Sequence, residues 1–156
     1  MVVSALQRIL TSSDAESTHA LGAALAHAAR AGDVIALVGD LGAGKTQFAK
    51  GFGAGLGVTA TINSPSFVLM AEHAGRLPLF HLDLYRLADA RDAVAEGLLD
   101  ERQADGVTLI EWAERLGDAL PANRLEIAID GSGDDLRTIR IRATSNDLAR
   151  YLELLA

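Results

Sequence analysis

One stretch near the start of the chain constrains its fold more than any other. It opens with five apolar residues, Val34-Ile-Ala-Leu-Val38, which suit a buried strand because they are hydrophobic and partly β-branched. Gly39-Asp-Leu-Gly-Ala-Gly-Lys-Thr46 follows and matches the pattern G-x-x-x-x-G-K-[ST]. Residues 47–52 then lack proline and β-branched side chains and carry two phenylalanines one helical turn apart. The sequence therefore predicts a strand, a glycine-rich loop and a helix in succession.

The residue types of this loop suit a phosphate chain. Gly39, Gly42 and Gly44 allow the backbone to curl so that successive N–H groups point inward without a Cβ in the way. A helix that starts near Lys45 adds free N–H groups and the positive end of its dipole. Lys45 would reach the β- and γ-phosphates, and the Thr46 hydroxyl would ligate Mg²⁺. A chance glycine turn is the alternative, but the strand before it and the helix after it favour a P-loop that binds a nucleotide.

Composition limits the class of protein. With 156 residues the chain is expected to form one domain, residues 1–156, and 49% hydrophobic with 22% charged residues is typical of a soluble globular protein. The net charge of −7 argues against direct binding to nucleic acid phosphates. There are no cysteines, so there is no disulfide and no thiolate zinc site. Without a targeting segment or an apolar run of membrane-spanning length, we expect an intracellular, cytoplasmic protein that does not bind membranes.

Hydrophobic periodicity outlines the remaining elements and predicts an α/β fold, a mixed sheet flanked by helices. An antiparallel hairpin is expected around residues 74–76, because strand patterns flank this turn on both sides. The expected elements are a short strand at 5–10, a helix at 15–30 capped within 11–14, strands at 67–70 and 77–84, a helical segment at 87–104, a buried strand at 107–110, a hairpin of 125–129 with 136–141, and a final helix at 146–155.

Two carboxylates are candidates for the metal site. In His81-Leu-Asp-Leu-Tyr-Arg86 polar residues alternate with leucines, so polar groups are expected to emerge at one edge of the sheet. A P-loop enzyme needs a second carboxylate near the metal, on a strand beside the P-loop strand, and Asp83 is the natural candidate. Glu111 follows a buried strand, where open α/β sheets place ligands, and would order water or hold the metal. A surface Asp–Arg pair and a helix N-terminal acid are the alternatives for the two residues.

Four motifs stand in one order: Gly39–Thr46, Ser64-Pro-Ser-Phe67, His81–Arg86 and Ile110-Glu-Trp112. In this respect the chain resembles the TsaE family, formerly YjeE, over nearly its whole length. The resemblance implies a Mg²⁺-dependent P-loop ATPase that is slow without its partners. Such proteins support the formation of threonylcarbamoyladenosine on transfer RNA by cycling the complex of the TsaD and TsaB proteins. They meet the tRNA only indirectly, through that complex.

The resemblance also implies a set of site residues. Thr46 ligates Mg²⁺, Asp83 is the second carboxylate and Glu111 has a metal-associated or catalytic role, with Lys45 counted in the catalytic set. Ser66 belongs to a switch-like loop near the γ-phosphate, where the family has threonine, and Arg137 lies near the nucleotide. Thr18 would approach the base. Apart from the resemblance, the single tryptophan, Trp112, stands next to Glu111 and would cover the site, with a place in the core as the alternative. The ATP-binding loop consists of Gly39, Asp40, Leu41, Gly42, Ala43, Gly44, Lys45 and Thr46.

Two alternative functions stay open on the sequence. A small-molecule kinase of the P-loop class would use Asp83 or Glu111 as the base toward an acceptor hydroxyl, but no lid segment with several arginines is evident. A nucleotide-dependent switch would act by binding a partner, with hydrolysis resetting it. GTP is disfavoured relative to ATP because no Asn-Lys-x-Asp segment is present.

Overall fold

A mixed β-sheet carries the fold in the computed structural model of the chain, which describes residues 2–3, 6–62, 70–86 and 101–155. The strands in these ranges are β1 (Val2–Val3), β2 (Gln7–Ser12), β3 (Val34–Val38), β4 (Met70–His73), β5 (Leu79–Asp83), β6 (Val107–Glu111), β7 (Leu125–Asp130) and β8 (Arg137–Ala143). The α-helices are α1 (Ala15–Leu25), α2 (Lys45–Gly55) and α3 (Ala149–Glu153). Short 3-10 helices lie at Ala26–Ala28, Glu101–Asp105, Ala113–Ala119 and Asn146–Leu148.

The strand order is β1-β2-β8-β7-β3-β6-β5-β4. The pairs β7–β3, β3–β6 and β6–β5 are parallel, and the remaining pairs toward both edges are antiparallel. The predicted mixed sheet is therefore confirmed. Because the four central strands run in one direction, the carboxyl ends of β3, β5 and β6 meet at one edge.

Alternating side chains divide the sheet into two apolar layers. On one face, buried residues such as Ile35 and Ile127 pack with Phe48, Phe52 and Leu25 of the two long helices. On the other face, a smaller cluster combines side chains of β3, β5 and β6 with the 3-10 helix Ala113–Ala119. The helix that follows the glycine-rich loop is thus anchored on the central strands, which fixes the loop in space.

Helices α1 and α2 approach closely because glycines line their contact. A Cβ added at Gly51 would lie 1.9 Å from the His19 carbonyl oxygen, and one at Gly22 would lie 2.4 Å from that of Phe48. Asp14 caps α1 by accepting a hydrogen bond from the Ser17 amide at 2.7 Å. These contacts fix α1 against the start of α2.

Several predicted boundaries need correction. The helix predicted for residues 15–30 ends at Leu25 and continues as a 3-10 turn, Ala26–Ala28. It does not reach Arg30, whose amide donates to the Asp33 carboxylate at 2.9 Å. The final helix is likewise split into a 3-10 turn and α3. One predicted strand has its residues 67–69 outside the described residues. The predicted helical segment at 87–104 is described only from residue 101, where Glu101–Asp105 form a 3-10 helix. Both predicted hairpins are confirmed.

None of the helices in the described part of the chain combines the length and apolar character that crossing a bilayer requires.

Candidate functional site

The glycine-rich loop runs from the end of β3 into the start of α2, as predicted. Gly39 has φ 151°, and a Cβ there would lie 2.5 Å from the Ile129 carbonyl oxygen, so only glycine allows β7 to approach this closely. Gly44 caps α2 in the left-handed region with φ 113°. Ala43 is buried and its amide donates to the Asp40 carbonyl at 3.0 Å, whereas Leu41 is 72% exposed at the loop's tip.

Lys45 lies beneath this loop and is buried. Its Nζ donates to the Gly39 carbonyl and, at 2.9 Å, to the Asp40 carbonyl. Burial lowers the pKa of Lys45 below the usual lysine range, while nearby carboxylates, foremost Glu111, partly offset that effect. The positively charged ammonium group of Lys45 thus lies under the loop, and the loop backbone curls around this group.

Glu111 joins two other elements at the carboxyl edge of the sheet. Its Oε1 accepts a hydrogen bond from Thr46 Oγ1 at 3.2 Å, and its Oε2 lies 2.6 Å from His81 Nε2. Glu111 is the last residue of β6 rather than a residue beyond it, and its side chain is 3% exposed. His81 is fully buried, so the expectation that its imidazole emerges at the sheet edge is wrong.

The position of Asp83 also differs from the prediction. The strand beside the P-loop strand is β6, which pairs Leu37 with Glu111, and β5 lies one strand farther out. Asp83 pairs in register with Glu111 and accepts a hydrogen bond from the Tyr85 amide at 3.1 Å. The carboxylate beside the P-loop strand is therefore Glu111. The chain's connectivity puts β5 outside β6, which sequence order does not indicate.

Trp112 contacts the site directly. Its ring lies 4.2 Å from Lys45 Nζ and packs against the Tyr85 ring with centroids 5.1 Å apart. Its backbone is left-handed, with φ 59°, which is uncommon for a bulky residue and turns the chain sharply after Glu111. A cavity of about 390 Å³ is lined by the loop, Thr46, both carboxylates and Trp112. The expectation that Trp112 covers the site agrees with this placement.

Arg137 connects the loop to the β7–β8 hairpin. Its guanidinium donates to the carbonyls of Ala43 at 3.0 Å and Gly42 at 3.3 Å, and to the hairpin carbonyl of Gly133 at 3.0 Å. Arg137 and Thr18 line a second cavity, of about 360 Å³, on the other side of the loop. The structure therefore places both residues beside the loop.

Ser66 and His81 also belong to the sequence motifs described above. Ser66, predicted to lie near the γ-phosphate, falls outside the described residues. His81 received no role, although it contacts Glu111 directly. Its position two residues before Asp83 was the available signal, because alternate residues of a strand share a face.

Fold and loop together define the class of protein: a P-loop nucleotide-binding protein with an α/β fold. A family model described as "Threonylcarbamoyl adenosine biosynthesis protein TsaE" matches residues 12–139. The chain therefore belongs to the TsaE family, a family of ATP-binding proteins of tRNA threonylcarbamoyladenosine biosynthesis, and the predicted resemblance is confirmed.

Individual relatives agree with the family match. A tRNA threonylcarbamoyladenosine biosynthesis protein TsaE from Bacillus subtilis is 46% identical over 142 residues, covering 90% of this chain and 89% of the relative. A Treponema pallidum protein of the same name is 38% identical over 130 residues, covering 83% and 96%. The crystal structure of Bacillus subtilis YdiB is similar in fold, with a TM-score of 0.74 at 40% identity, covering 96% of this chain and 91% of that one.

Proposed function

We propose that the chain is the ATP-hydrolysing component of the bacterial threonylcarbamoyladenosine machinery, working as one domain in the cytoplasm. Its hydrolysis supports cycling of a complex of the TsaB and TsaD proteins, and it meets tRNA only through that complex. Family membership supports the pathway. The net charge of −7 agrees with a protein that contacts protein partners more than RNA.

The observation that carries the ATPase proposal is the Thr46–Glu111 contact at the mouth of the glycine-rich loop. It joins the hydroxyl at the start of α2 to a buried carboxylate on the neighbouring strand, the pair of oxygen groups that P-loop enzymes use around the metal. Lys45 stands beside them, and the amides of residues 39–46 and the N-terminus of α2 receive the phosphates. On binding, Lys45 exchanges the carbonyls of Gly39 and Asp40 for phosphate oxygens.

The residues present fit Mg²⁺. Thr46, Glu111 and Asp83 supply hydroxyl and carboxylate oxygens, the donors this ion prefers. Mg²⁺ keeps waters and phosphate oxygens in its shell, so these side chains need to supply only part of its ligands. The ion, when bound, neutralises charge on the β- and γ-phosphates.

Of the two carboxylates, we assign Glu111 the larger role in catalysis and Asp83 the smaller one. As a buried carboxylate beside the P-loop strand, Glu111 accepts a hydrogen bond from the Thr46 hydroxyl and would order the water that attacks the γ-phosphorus or help to hold the metal. Asp83, one strand farther out and half-buried, would help to hold the metal. Trp112 shields Lys45 from solvent. Arg137 holds the loop in shape, and Ser66 completes the γ-phosphate side.

The test is Mg²⁺-dependent ATP hydrolysis by the purified chain, alone and with a TsaB–TsaD complex. Hydrolysis should be slow alone and rise with the partners, and Lys45→Ala should abolish it. Lys50→Ala is the matched control, because Lys50 lies on the same helix and lines neither cavity at the loop. Unchanged turnover in Lys45→Ala would refute the phosphate-binding role. Phosphorylation of a small acceptor with no response to the partners would favour the kinase.

A further inference from the structure

We propose that His81 is a positioning residue that holds the Glu111 carboxylate in the orientation that Thr46 and the metal require. The inference rests on the proposed ATPase function and adds a residue to it. It is based on the contacts of three side chains: Thr46 of helix α2, His81 of strand β5 and Glu111 of strand β6.

Both oxygens of Glu111 are held, from two different directions. Oε1 meets Thr46 at 3.2 Å and Oε2 meets His81 Nε2 at 2.6 Å, so the carboxylate cannot rotate without losing one contact. His81 is fully buried and Glu111 is 2% exposed, so their contact at Oε2 is shielded from bulk water. A shielded hydrogen bond of this length strongly favours one orientation of the carboxylate.

Within the described residues, the His81 imidazole makes one hydrogen bond, to Glu111. An ionised carboxylate only accepts hydrogen bonds, so Nε2 of His81 carries the proton and donates to Glu111. The other ring nitrogen, Nδ1, is buried and has no hydrogen-bond partner in the described part of the chain. The ring therefore joins no wider polar network there, and the geometry points to Glu111 as the group it serves.

Lys45 explains why such a donor is needed. Its buried ammonium lies close enough to Glu111 for the two charges to interact: burial lowers the pKa of Lys45, and the Glu111 carboxylate partly offsets that effect. A Glu111 side chain released from His81 would turn toward that ammonium and away from Thr46. By donating to Oε2, His81 keeps the Glu111 carboxylate turned toward Thr46.

The first test compares two substitutions. His81→Leu removes the donor, and His81→Gln keeps an N–H group near the position of Nε2. We expect His81→Leu to lower kcat and to raise the Mg²⁺ concentration for half-maximal rate by roughly 10- to 100-fold. His81→Gln should recover most of that loss. ATP affinity without metal should stay within about twofold in both, because the P-loop is intact.

Thr108→Val is the matched control. Thr108 is a buried polar residue of β6, paired in register with Phe80, and lies on the face of the sheet opposite Glu111. It should destabilise the fold without changing the Mg²⁺ requirement. Equal kinetics in wild type and a folded His81→Leu variant, or failure of His81→Gln to recover activity, would overturn the inference.

A second measurement needs no turnover. In wild-type protein labelled with ¹⁵N on histidine, the Nε2 proton of His81 should give a strongly deshielded signal that Glu111→Gln shifts upfield. Absence of that signal would overturn the inference. Absence of ATP hydrolysis with the partners present would instead overturn the proposed function. A deshielded signal alongside unchanged His81→Leu kinetics would remove the positioning role alone.

Discussion

Thr46 donates its hydroxyl hydrogen to Glu111 Oε1 at 3.2 Å, although 65 positions separate the two residues in the chain. Parallel pairing of β3 with β6 brings them together, because it aligns Leu37 with Glu111 just where the loop leaves the sheet. The contact fixes the two oxygen groups relative to each other at the edge of the sheet, and polar groups held in place in this way reduce the reorganisation needed for catalysis.

Glu111→Gln should lower the rate of hydrolysis by roughly 10²- to 10⁴-fold while nucleotide binding is retained. The amide keeps the shape of the side chain but removes the charge that accepts protons and attracts the metal. Single-turnover hydrolysis, with nucleotide affinity measured separately, tests this. Glu153→Gln, an exposed acid on the C-terminal helix away from the loop, is the control and should leave turnover near the wild-type rate.

Asp83→Asn should have a smaller effect than Glu111→Gln and should act mainly on the metal requirement. Asp83 lies on β5, one strand farther from the P-loop strand, and is less buried than Glu111. A titration of the hydrolysis rate against Mg²⁺ should show a higher half-maximal concentration at a nearly unchanged maximal rate. Equal losses in both variants would mean that the two carboxylates act as one unit.

Arg137→Ala should weaken ATP binding by roughly tenfold, about 1.4 kcal/mol, without abolishing turnover at saturation. The guanidinium holds the carbonyls of Gly42 and Ala43, so its loss lets the loop relax from the shape that phosphate needs. Calorimetric titration measures the affinity. Arg140→Ala is the control, since Arg140 is exposed on the same strand; an equal loss there would indicate a general charge effect.

Tyr151→Phe should destabilise the protein by about 1.5–3 kcal/mol and leave ATP hydrolysis unchanged. The buried Tyr151 hydroxyl donates to Asp33 Oδ2 at 2.5 Å, and Asp33 also pairs with Arg150, which ties α3 to the start of β3. Urea unfolding measures the loss. Tyr85→Phe, at a hydroxyl-bearing ring that is 47% exposed, should change stability by less than about 0.5 kcal/mol.

The same tyrosine predicts a pH dependence. Burial and the Asp33 carboxylate raise the pKa of Tyr151 above its ordinary value of 10.0. Because the folded-state pKa lies above the unfolded one, the stability from the neutral phenol is complete below about pH 10 and declines as pH rises further. The stability difference between wild type and Tyr151→Phe should therefore be constant from about pH 7 to 9 and shrink above about pH 10.

Gly51→Ala should destabilise the protein by about 1–3 kcal/mol, against the usual gain from alanine in a helix. The new Cβ would meet the His19 carbonyl oxygen of α1, a backbone atom that cannot move without shifting the helix. Ala54→Gly, at an exposed position of the same helix, should cost only about 1 kcal/mol. A Gly51→Ala variant as stable as wild type would contradict the close helix contact.

Local sequence patterns predicted much of the site because the phosphate-binding loop is one continuous segment of the chain. The strand–loop–helix from Val34 to Gly55 needs only apolar runs and glycines, and all three parts were predicted. The buried strand before Glu111 and both hairpins were also predicted, since each depends on periodicity or on a turn. Some boundaries shifted, as at the end of α1, which the pattern placed at residue 30 and the structure places at Leu25.

Residue order and hydrophobic period determined that this chain has a P-loop, an α/β fold and acidic residues at strand ends. Only the tertiary structure decided which acid stands beside the loop. Both Asp83 and Glu111 were predicted for the site, with Asp83 on the strand beside the P-loop strand; strand order instead puts Glu111 on that strand, in contact with a buried His81. Strand order follows from how helices and crossovers pack over the whole sheet. Contacts between residues far apart in sequence set that packing, and no local pattern encodes them.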